Sequence, residues 1–154
     1  MLILRQVAIV VKDLSAAERL LVDLFGITVC YRDPQLAQFG LENILAPMGN
    51  QFLEVVSPVA ANTTAGRFLE KRGDGGYMLI TQCDDQFPYR RRVAALGVRI
   101  VHEFNTEQFL SMQLHPKDTG GSFLEIDQQL DHKKGELSGP WAPAGGVVSS
   151  KFKN

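Results

Sequence analysis

The chain contains an internal duplication. The triplet Phe52-Leu53-Glu54 returns 71 residues later as Phe123-Leu124-Glu125, and a segment that begins at Gly26 returns at Gly97 with the same offset. Self-similarity at a constant offset constrains the architecture of a chain more strongly than any local pattern does. The sequence therefore predicts two modules of about 71 residues, related by a pseudo-two-fold axis.

Both halves show the same order of predicted elements. An apolar, β-branched run at residues 7–11 indicates a buried strand, Asp13 or Ser15 offers the cap that begins a helix, and Gly26 ends that helix. The strands predicted in the first half are 7–11, 27–31, 39–45 and 51–56, and those in the second are 78–83, 98–104, 109–114 and 122–126. This pattern predicts an α+β fold, in which two tandem βαβββ modules form a cupped mixed sheet with helices on its outer face.

The predicted modules span residues 1–58 and 76–127, and a linker helix lies within 59–75, so that 1–127 forms a single domain. Residues 128–154 are rich in Gly, Pro, Ser and Lys, which indicates an extended or partly disordered tail. Because exposed strand edges are usually covered or paired, we expect a homodimer, with the tail around Pro140 and Trp141 packed on its own or the partner subunit.

The composition excludes several classes of partner. A formal net charge of -1 argues against binding to nucleic acid or to an anionic membrane surface. The two cysteines, Cys30 and Cys83, form neither a disulfide framework nor a zinc motif. No apolar run reaches the length of about 18 residues that a membrane-spanning helix needs. We therefore expect a cytoplasmic protein whose partner is a small-molecule ligand.

The repeated glutamates identify a candidate pocket. Side chains alternate along a strand, so Glu54 shares one face with Phe52, while Leu53 and Val55 occupy the face that packs on the helices. A carboxyl group inside an apolar strand is costly to bury unless it is paired, metal-bound or protonated. The residues predicted to line the pocket on the concave face, as ligand-binding positions, are Gln6, Phe52, Glu54, Met78, Phe123 and Glu125. Glu54 and Glu125 are the candidate catalytic acid and base.

Four segments carry a resemblance to a known family: residues 7–14, 52–58, 75–78 and, above all, the stretch 115–125, which reads HPKDTGGSFLE. On these motifs the chain resembles the vicinal oxygen chelate (glyoxalase/bleomycin resistance/dioxygenase) superfamily, and within it most closely the methylmalonyl-CoA epimerases. The resemblance extends over about residues 3–127. It implies the two-module fold, but one fold supports many chemistries and does not by itself define an activity.

The resemblance also implies where a metal would bind. Enzymes of this family hold a divalent ion with a histidine on the first strand of each module and a glutamate or glutamine on the last. Those positions carry Gln6, Glu54, Met78 and Glu125 in this sequence, so both histidines are replaced. A thioether is a poor ligand for such ions. We therefore expect no metal cofactor, although the remaining oxygens are compatible with weak binding of Mg²⁺ or Ca²⁺.

Other polar residues give weaker signals. None of the histidines, His102, His115 and His132, occupies a ligand position of the motif. Epimerases of the family place an additional acid on a middle strand of the first module, where Asp33 and Glu42 are the nearest acids in this chain. The glycine-rich segment 115–121 is compatible either with contact to an anionic ligand group or with a tight hairpin turn.

Three functions remain open on the sequence. The first is a metal-free isomerase or lyase in which Glu54 or Glu125 moves a proton for a small, largely apolar metabolite. The second is a non-catalytic protein that sequesters such a molecule, as bleomycin-resistance relatives do. The third is a metal-dependent isomerase like the methylmalonyl-CoA epimerases, with an altered ligand set.

Overall fold

A computed structural model describes residues 1–130 of the chain. Both halves contribute to one seven-stranded mixed sheet. The elements are β1 Leu2–Val10, α1 Leu14–Phe25, a 3₁₀ helix Pro34–Phe39, β2 Leu41–Met48, β3 Gln51–Pro58, α2 Thr64–Arg72, β4 Gly75–Cys83, α3 Phe87–Ala95, β5 Ile100–Asn105, β6 Phe109–Leu114 and β7 Phe123–Gln129.

The order of strands in the sheet follows the duplication. It is β2-β3-β1-β4-β7-β6-β5, with β1 and β4 antiparallel to each other at the centre. On either side of this pair lies a parallel neighbour, β3 beside β1 and β7 beside β4. Strands β2 and β6 then pair antiparallel with β3 and β7. The predicted fold class, α+β with two tandem modules in one mixed sheet, is confirmed.

The two modules also share their register. Ala8 lies opposite Glu54 in the β1–β3 pair, and Ile80 lies opposite Glu125 in the β4–β7 pair. Both pairs are related by the offsets of 72 and 71 residues that the sequence shows. The two glutamates therefore occupy equivalent places in the sheet.

A local two-fold axis crosses the central strand pair. Gln6 lies opposite Ile80, and Ala8 lies opposite Met78. Moving Gln6 and Ala8 forward by 72 residues gives Met78 and Ile80, so each of these pairs maps onto the other. The axis passes between them, in the middle of the sheet, and places Gln6 and Met78 symmetrically about it.

One predicted strand of the first module does not form. Within residues 27–31 the ladder is limited to a single antiparallel bridge between Tyr31 and Leu45. Asp33 then accepts a hydrogen bond from the Gln35 backbone N–H at 2.9 Å and, with Pro34, begins the 3₁₀ helix. Because proline has no N–H and a fixed φ, the chain turns away from the sheet at this point. The prediction of this strand is wrong, and the sheet has seven strands instead of eight.

The helix boundaries follow from local capping. The Asp13 carboxylate accepts a hydrogen bond from the Ala16 backbone N–H at 2.8 Å, so Asp13 and not Ser15 is the N-cap of α1. Gly26 ends α1 with a φ of 62°, as predicted. Asp85 precedes α3 and accepts from the Phe87 N–H at 3.0 Å. The outer face of the sheet is covered where α1 packs over Val55.

The end of the second module differs slightly from the prediction. Strand β7 continues to Gln129, beyond the predicted domain end at residue 127. The tail prediction, including the segment around Trp141, otherwise falls outside the described residues. Within residues 1–130, no helix combines the length and the apolar character that crossing a membrane requires. Cys30 and Cys83 are both free thiols.

Candidate functional site

The cupped face of the sheet encloses a cavity of about 680 Å³ that both modules line. Five of the six predicted pocket residues lie on its wall: Gln6, Glu54, Met78, Phe123 and Glu125. They come from the two central strands and from their parallel neighbours, β3 and β7. The register of the sheet therefore brings together side chains that are far apart in the sequence.

The sixth predicted residue, Phe52, lies beneath the cavity. Its side chain is 2% exposed and packs with Leu45 and Ile80 in one cluster. Ile80 itself reaches the cavity wall. Phe52 thus supports the floor, while Val55, on the opposite face of the same strand, packs under α1.

Glu54 is held by a neighbouring amide. The Asn43 side-chain nitrogen donates to Glu54 Oε1 at 2.7 Å, and the Asn43 side-chain oxygen accepts from the Asp33 backbone N–H at 2.8 Å. Burial raises the pKa of Glu54 to about 7; the Asn43 hydrogen bond opposes this, and the charges of Glu125 and Asp33 add to it. Glu54 is therefore close to half-ionised at neutral pH.

Glu125 has its own amide partner. The Gln113 side-chain nitrogen donates to Glu125 Oε2 at 2.6 Å. Burial raises the pKa of Glu125, while hydrogen bonding with Asp127 and Gln113 and the charge of His102 oppose that rise. The second carboxyl therefore also retains its proton to a higher pH than an exposed glutamate does.

A third carboxyl, Asp127, lies on the same face of β7, two residues beyond Glu125. It is completely buried, and neither of its oxygens forms a hydrogen bond of normal geometry with a described residue. Burial, followed by the charge of Glu125, raises the pKa of Asp127 well above its ordinary value. Strand alternation already placed Asp127 on this face, but its complete burial was not predicted.

The donor set at the four family metal positions does not fit a divalent transition ion. Gln6 and Met78 supply a neutral amide and a soft thioether where imidazoles would be needed. The Glu54 and Glu125 carboxylates are each engaged by an amide donor. Within residues 1–130, no three His, Cys, Asp or Glu side chains are grouped so as to hold a metal. That the protein carries no metal remains a prediction.

Two histidines line the cavity, although neither was selected as a site residue. His102 lies on β5, and its ring meets the ring of Phe39 edge-on at a centroid distance of 5.8 Å. His115 lies beyond β6, and its Nδ1 accepts from the Lys117 backbone N–H at 3.1 Å. Its Nε2 is therefore the nitrogen that carries a proton in the neutral ring. His132 lies outside the described residues.

The segment 115–121 forms a turn. The Asp118 backbone N–H donates to the His115 carbonyl at 2.9 Å, and the Gly121 N–H donates to the Pro116 carbonyl at 2.7 Å. The Arg99 side chain pairs with Asp118 at 2.6 Å. Of the two readings of this segment, the hairpin turn is what forms, and it directs His115 to the cavity wall.

The two acids considered for the first module separate clearly. Asp33, at the start of the 3₁₀ helix, lines the cavity and is half-buried. Glu42 is exposed and is absent from the cavity wall. The cup-facing position of β2 is Asn43, an amide that sequence reasoning missed because only the pairing of β2 with β3 brings it to Glu54.

A family model described as the Glyoxalase/Bleomycin resistance protein/Dioxygenase superfamily matches residues 3–126. The chain belongs to this superfamily. The resemblance inferred from the sequence motifs is confirmed.

Individual relatives agree with this assignment. The chain is 28% identical over 131 residues to the human mitochondrial methylmalonyl-CoA epimerase, covering 81% of this chain and 73% of that protein. The Mycobacterium tuberculosis methylmalonyl-CoA epimerase structure has a TM-score of 0.69 and 26% identity, covering 82% of this chain and 87% of that one. A variant of the Streptomyces coelicolor enzyme bound to 2-nitronate-propionyl-CoA has a TM-score of 0.72, 18% identity and coverage of 82% and 96%. The last likeness shows the fold alone.

Proposed function

We propose that this protein is an isomerase of small, largely apolar metabolites, in which Glu54 and Glu125 move a proton to and from a carbon atom without a transition metal. The observation that carries the proposal is the equivalent placement of the two carboxyls on β3 and β7, on the wall of one cavity. Each side chain is also buried, with a raised pKa.

Inversion at a carbon atom needs a base on one face and an acid on the other. In the proposed reaction, one carboxylate accepts the proton as the C–H bond breaks, and the electron pair moves to the oxygen of an adjacent carbonyl. The other carboxyl then donates its proton to the opposite face of the same carbon, and the electron pair returns. The two glutamates exchange protonation states, so the same site serves the reverse reaction.

The raised pKa values support these roles. A group that exchanges protons near neutral pH works best when its pKa lies close to that pH. Glu54, with a pKa of about 7, is available in both forms. The Asn43 and Gln113 amides orient the two carboxyls and leave the second oxygen of each for a substrate.

The names of the relatives support the reaction class. The human and Mycobacterium tuberculosis proteins are both methylmalonyl-CoA epimerases, and epimerisation is the reaction that a pair of acid–base groups performs. We therefore take acyl thioesters with a hydrogen on the carbon next to the carbonyl as the first substrates to test. The donor set at Gln6 and Met78 argues against the metal-dependent alternative.

A second candidate is a binding protein without catalysis. The mostly apolar cavity wall favours it, because side chains such as Val56, Ile80 and Phe123 suit retention of an apolar molecule. The two candidates differ in one measurable respect, which is whether hydrogen at a bound carbon exchanges with solvent.

The test is exchange with deuterated water, followed by proton NMR, on three thioesters: methylmalonyl-CoA, its neutral carboxamide analogue 2-carbamoylpropionyl-CoA, and 2-methylbutanoyl-CoA. The wild type should exchange at least one of them. Glu54→Gln and Glu125→Gln should each slow exchange by roughly 100-fold or more, the usual contribution of general acid–base catalysis. Glu42→Gln is the matched control, because Glu42 is exposed and lies away from the cavity. Binding without exchange in the wild type would favour the second candidate.

A further inference from the structure

We propose that the substrate is electrically neutral at its reacting end, and that the cavity discriminates against ligands with a carboxylate beside the reacting carbon. The inference rests on the proposed function and deepens it, because it names the chemical class that the site accepts. It also separates this chain from relatives that are named for methylmalonyl-CoA, whose acyl group carries such a carboxylate.

The charges on the cavity wall carry the argument. Three carboxyl groups line it, Asp33, Glu54 and Glu125, and none of the described residues on the wall is a lysine or an arginine. The two positions where the family motif would hold a metal are Gln6 and Met78, and both are uncharged. No fixed cation therefore faces the space between the two glutamates.

The histidines do not change this balance. His115 accepts the Lys117 backbone N–H on Nδ1, an arrangement that requires the unprotonated nitrogen and suits the neutral ring. A positive charge on His102 would be compensated by Glu125, with which it interacts. Neither ring supplies an uncompensated positive charge for an anionic ligand.

The buried guanidinium of Arg5 lies next to Gln6 in the sequence but is not on the cavity wall. The charges that act on Glu54 are those of Glu125 and Asp33, both negative. The immediate surroundings of the reacting groups are thus acidic and apolar.

A carboxylate placed in this cavity would meet like charges in a low-dielectric environment, where repulsion is strong. It could be accommodated only if Glu54 and Glu125 both held a proton. The site would then have no base to remove the substrate hydrogen. A neutral carbonyl compound meets neither obstacle, and its apolar substituents fit among Ile80, Met78 and Phe123.

The charge preference can be measured without assuming any reaction. The fluorescent probes N-phenyl-1-naphthylamine and 1-anilinonaphthalene-8-sulfonate share one skeleton and differ by a negative sulfonate. At a pH where Glu54 is ionised, the neutral probe should bind the wild type about tenfold more tightly or better. Glu54→Gln removes a carboxylate at nearly constant volume and should narrow that ratio, whereas Glu42→Gln should leave it unchanged. Equal affinities, a ratio that Glu54→Gln does not alter, or no binding of either probe would each overturn the inference.

The thioester pair then separates this inference from the proposed function. The carboxamide 2-carbamoylpropionyl-CoA should exchange its hydrogen with solvent at least about tenfold faster, relative to its spontaneous rate, than methylmalonyl-CoA does. If methylmalonyl-CoA exchanged faster, the inference would be wrong while the proposed function stood. If neither exchanged, the proposed function would fail and the two probes would still decide the charge preference. Met78→Lys, checked for folding by thermal melting, should shift the preference towards the carboxylate.

Discussion

The amide of Asn43 donates a 2.7 Å hydrogen bond to Glu54, and it does so from a position that the duplication does not explain. In the sheet, Leu45 is the residue opposite Glu54, whereas in the second module the residue opposite Glu125 is Gln113, the partner of that glutamate. The two modules thus reached the same arrangement, an amide donor on a carboxyl, from different register positions. This divergence indicates that the hydrogen bond to each glutamate matters more than the symmetry does.

Removing the amide should change the titration of one glutamate only. The Asn43 hydrogen bond favours the ionised form of Glu54, so in Asn43→Ala the pKa of Glu54 should rise above about 7. Carbon-13 NMR of labelled glutamate side chains would follow it. Gln113→Ala is the matched control: it should affect Glu125 and leave the titration of Glu54 within error. A Glu54 titration that does not move in Asn43→Ala would contradict this assignment.

The burial of Glu54 predicts a dependence of stability on pH. Its pKa in the folded protein is about 7, above the ordinary value of 4.5. A raised pKa means that the protonated form is favoured in the fold, so the stability is fully present below about pH 4.5 and is lost as pH rises through 7. At about 1.4 kcal/mol for each pH unit, the loss amounts to roughly 3 kcal/mol.

Urea unfolding from acidic to mildly alkaline pH checks this sign. In Glu54→Gln the group cannot ionise, so the variant should lose less stability than the wild type as pH rises. Glu42→Gln, at an exposed position, should follow the wild type. A Glu54→Gln variant that loses stability in parallel with the wild type would show that Glu54 is not the group responsible.

The metal content follows from the donor set. Replacing two imidazoles by an amide and a thioether removes the nitrogen ligands that transition ions prefer, so the protein should purify without stoichiometric Zn, Co, Ni or Mn. The double change Gln6→His and Met78→His should restore binding, because Glu54 and Glu125 remain in place. Elemental analysis and calorimetry with Co²⁺ would measure both, and about one transition ion per wild-type chain would promote the metal-dependent alternative.

Gly40 ends the 3₁₀ helix that forms one wall of the cavity. Its φ is +67°, and a Cβ there would lie 2.7 Å from Cβ of Ala60. Gly26 has nearly the same φ, +62°, but open space around it. Gly26→Ala should cost about 1 kcal/mol of unfolding free energy through backbone strain alone, and Gly40→Ala about 2 kcal/mol more because of the clash. Equal losses in chemical denaturation would show that Ala60 yields freely.

The homodimer expected from the sequence remains a prediction, and the outer face of the central strands suggests where to test it. Leu4, Val7 and Leu79 are between 36% and 41% exposed there. Light scattering at micromolar concentration should give twice the mass of the chain, and Val7→Lys with Leu79→Lys should reduce it to the mass of one. Leu96→Lys, at a residue 78% exposed near the end of α3, is the control. A wild-type monomer would end this prediction.

The duplicated sequence by itself determined the two-module sheet and the face on which Glu54 and Glu125 lie. These features are local or periodic: side chains alternate along a strand, and an internal repeat copies that alternation. The sequence also determined the caps of α1, because Asp13 and Gly26 act on backbone groups a few residues away.

Tertiary structure decided what surrounds the two glutamates. Asn43 and Gln113 reach them only through the pairing of β2 with β3 and of β6 with β7, and register between strands depends on contacts distant in sequence. Phe52 shares a face with Glu54, yet it packs beneath the cavity because Leu45 and Ile80 cover it. The strand expected at 27–31 was lost because Pro34 and the Asp33 cap favour a 3₁₀ turn over another ladder of hydrogen bonds. The alternation of side chains is a property of each strand alone, whereas burial and partners arise only when the strands assemble.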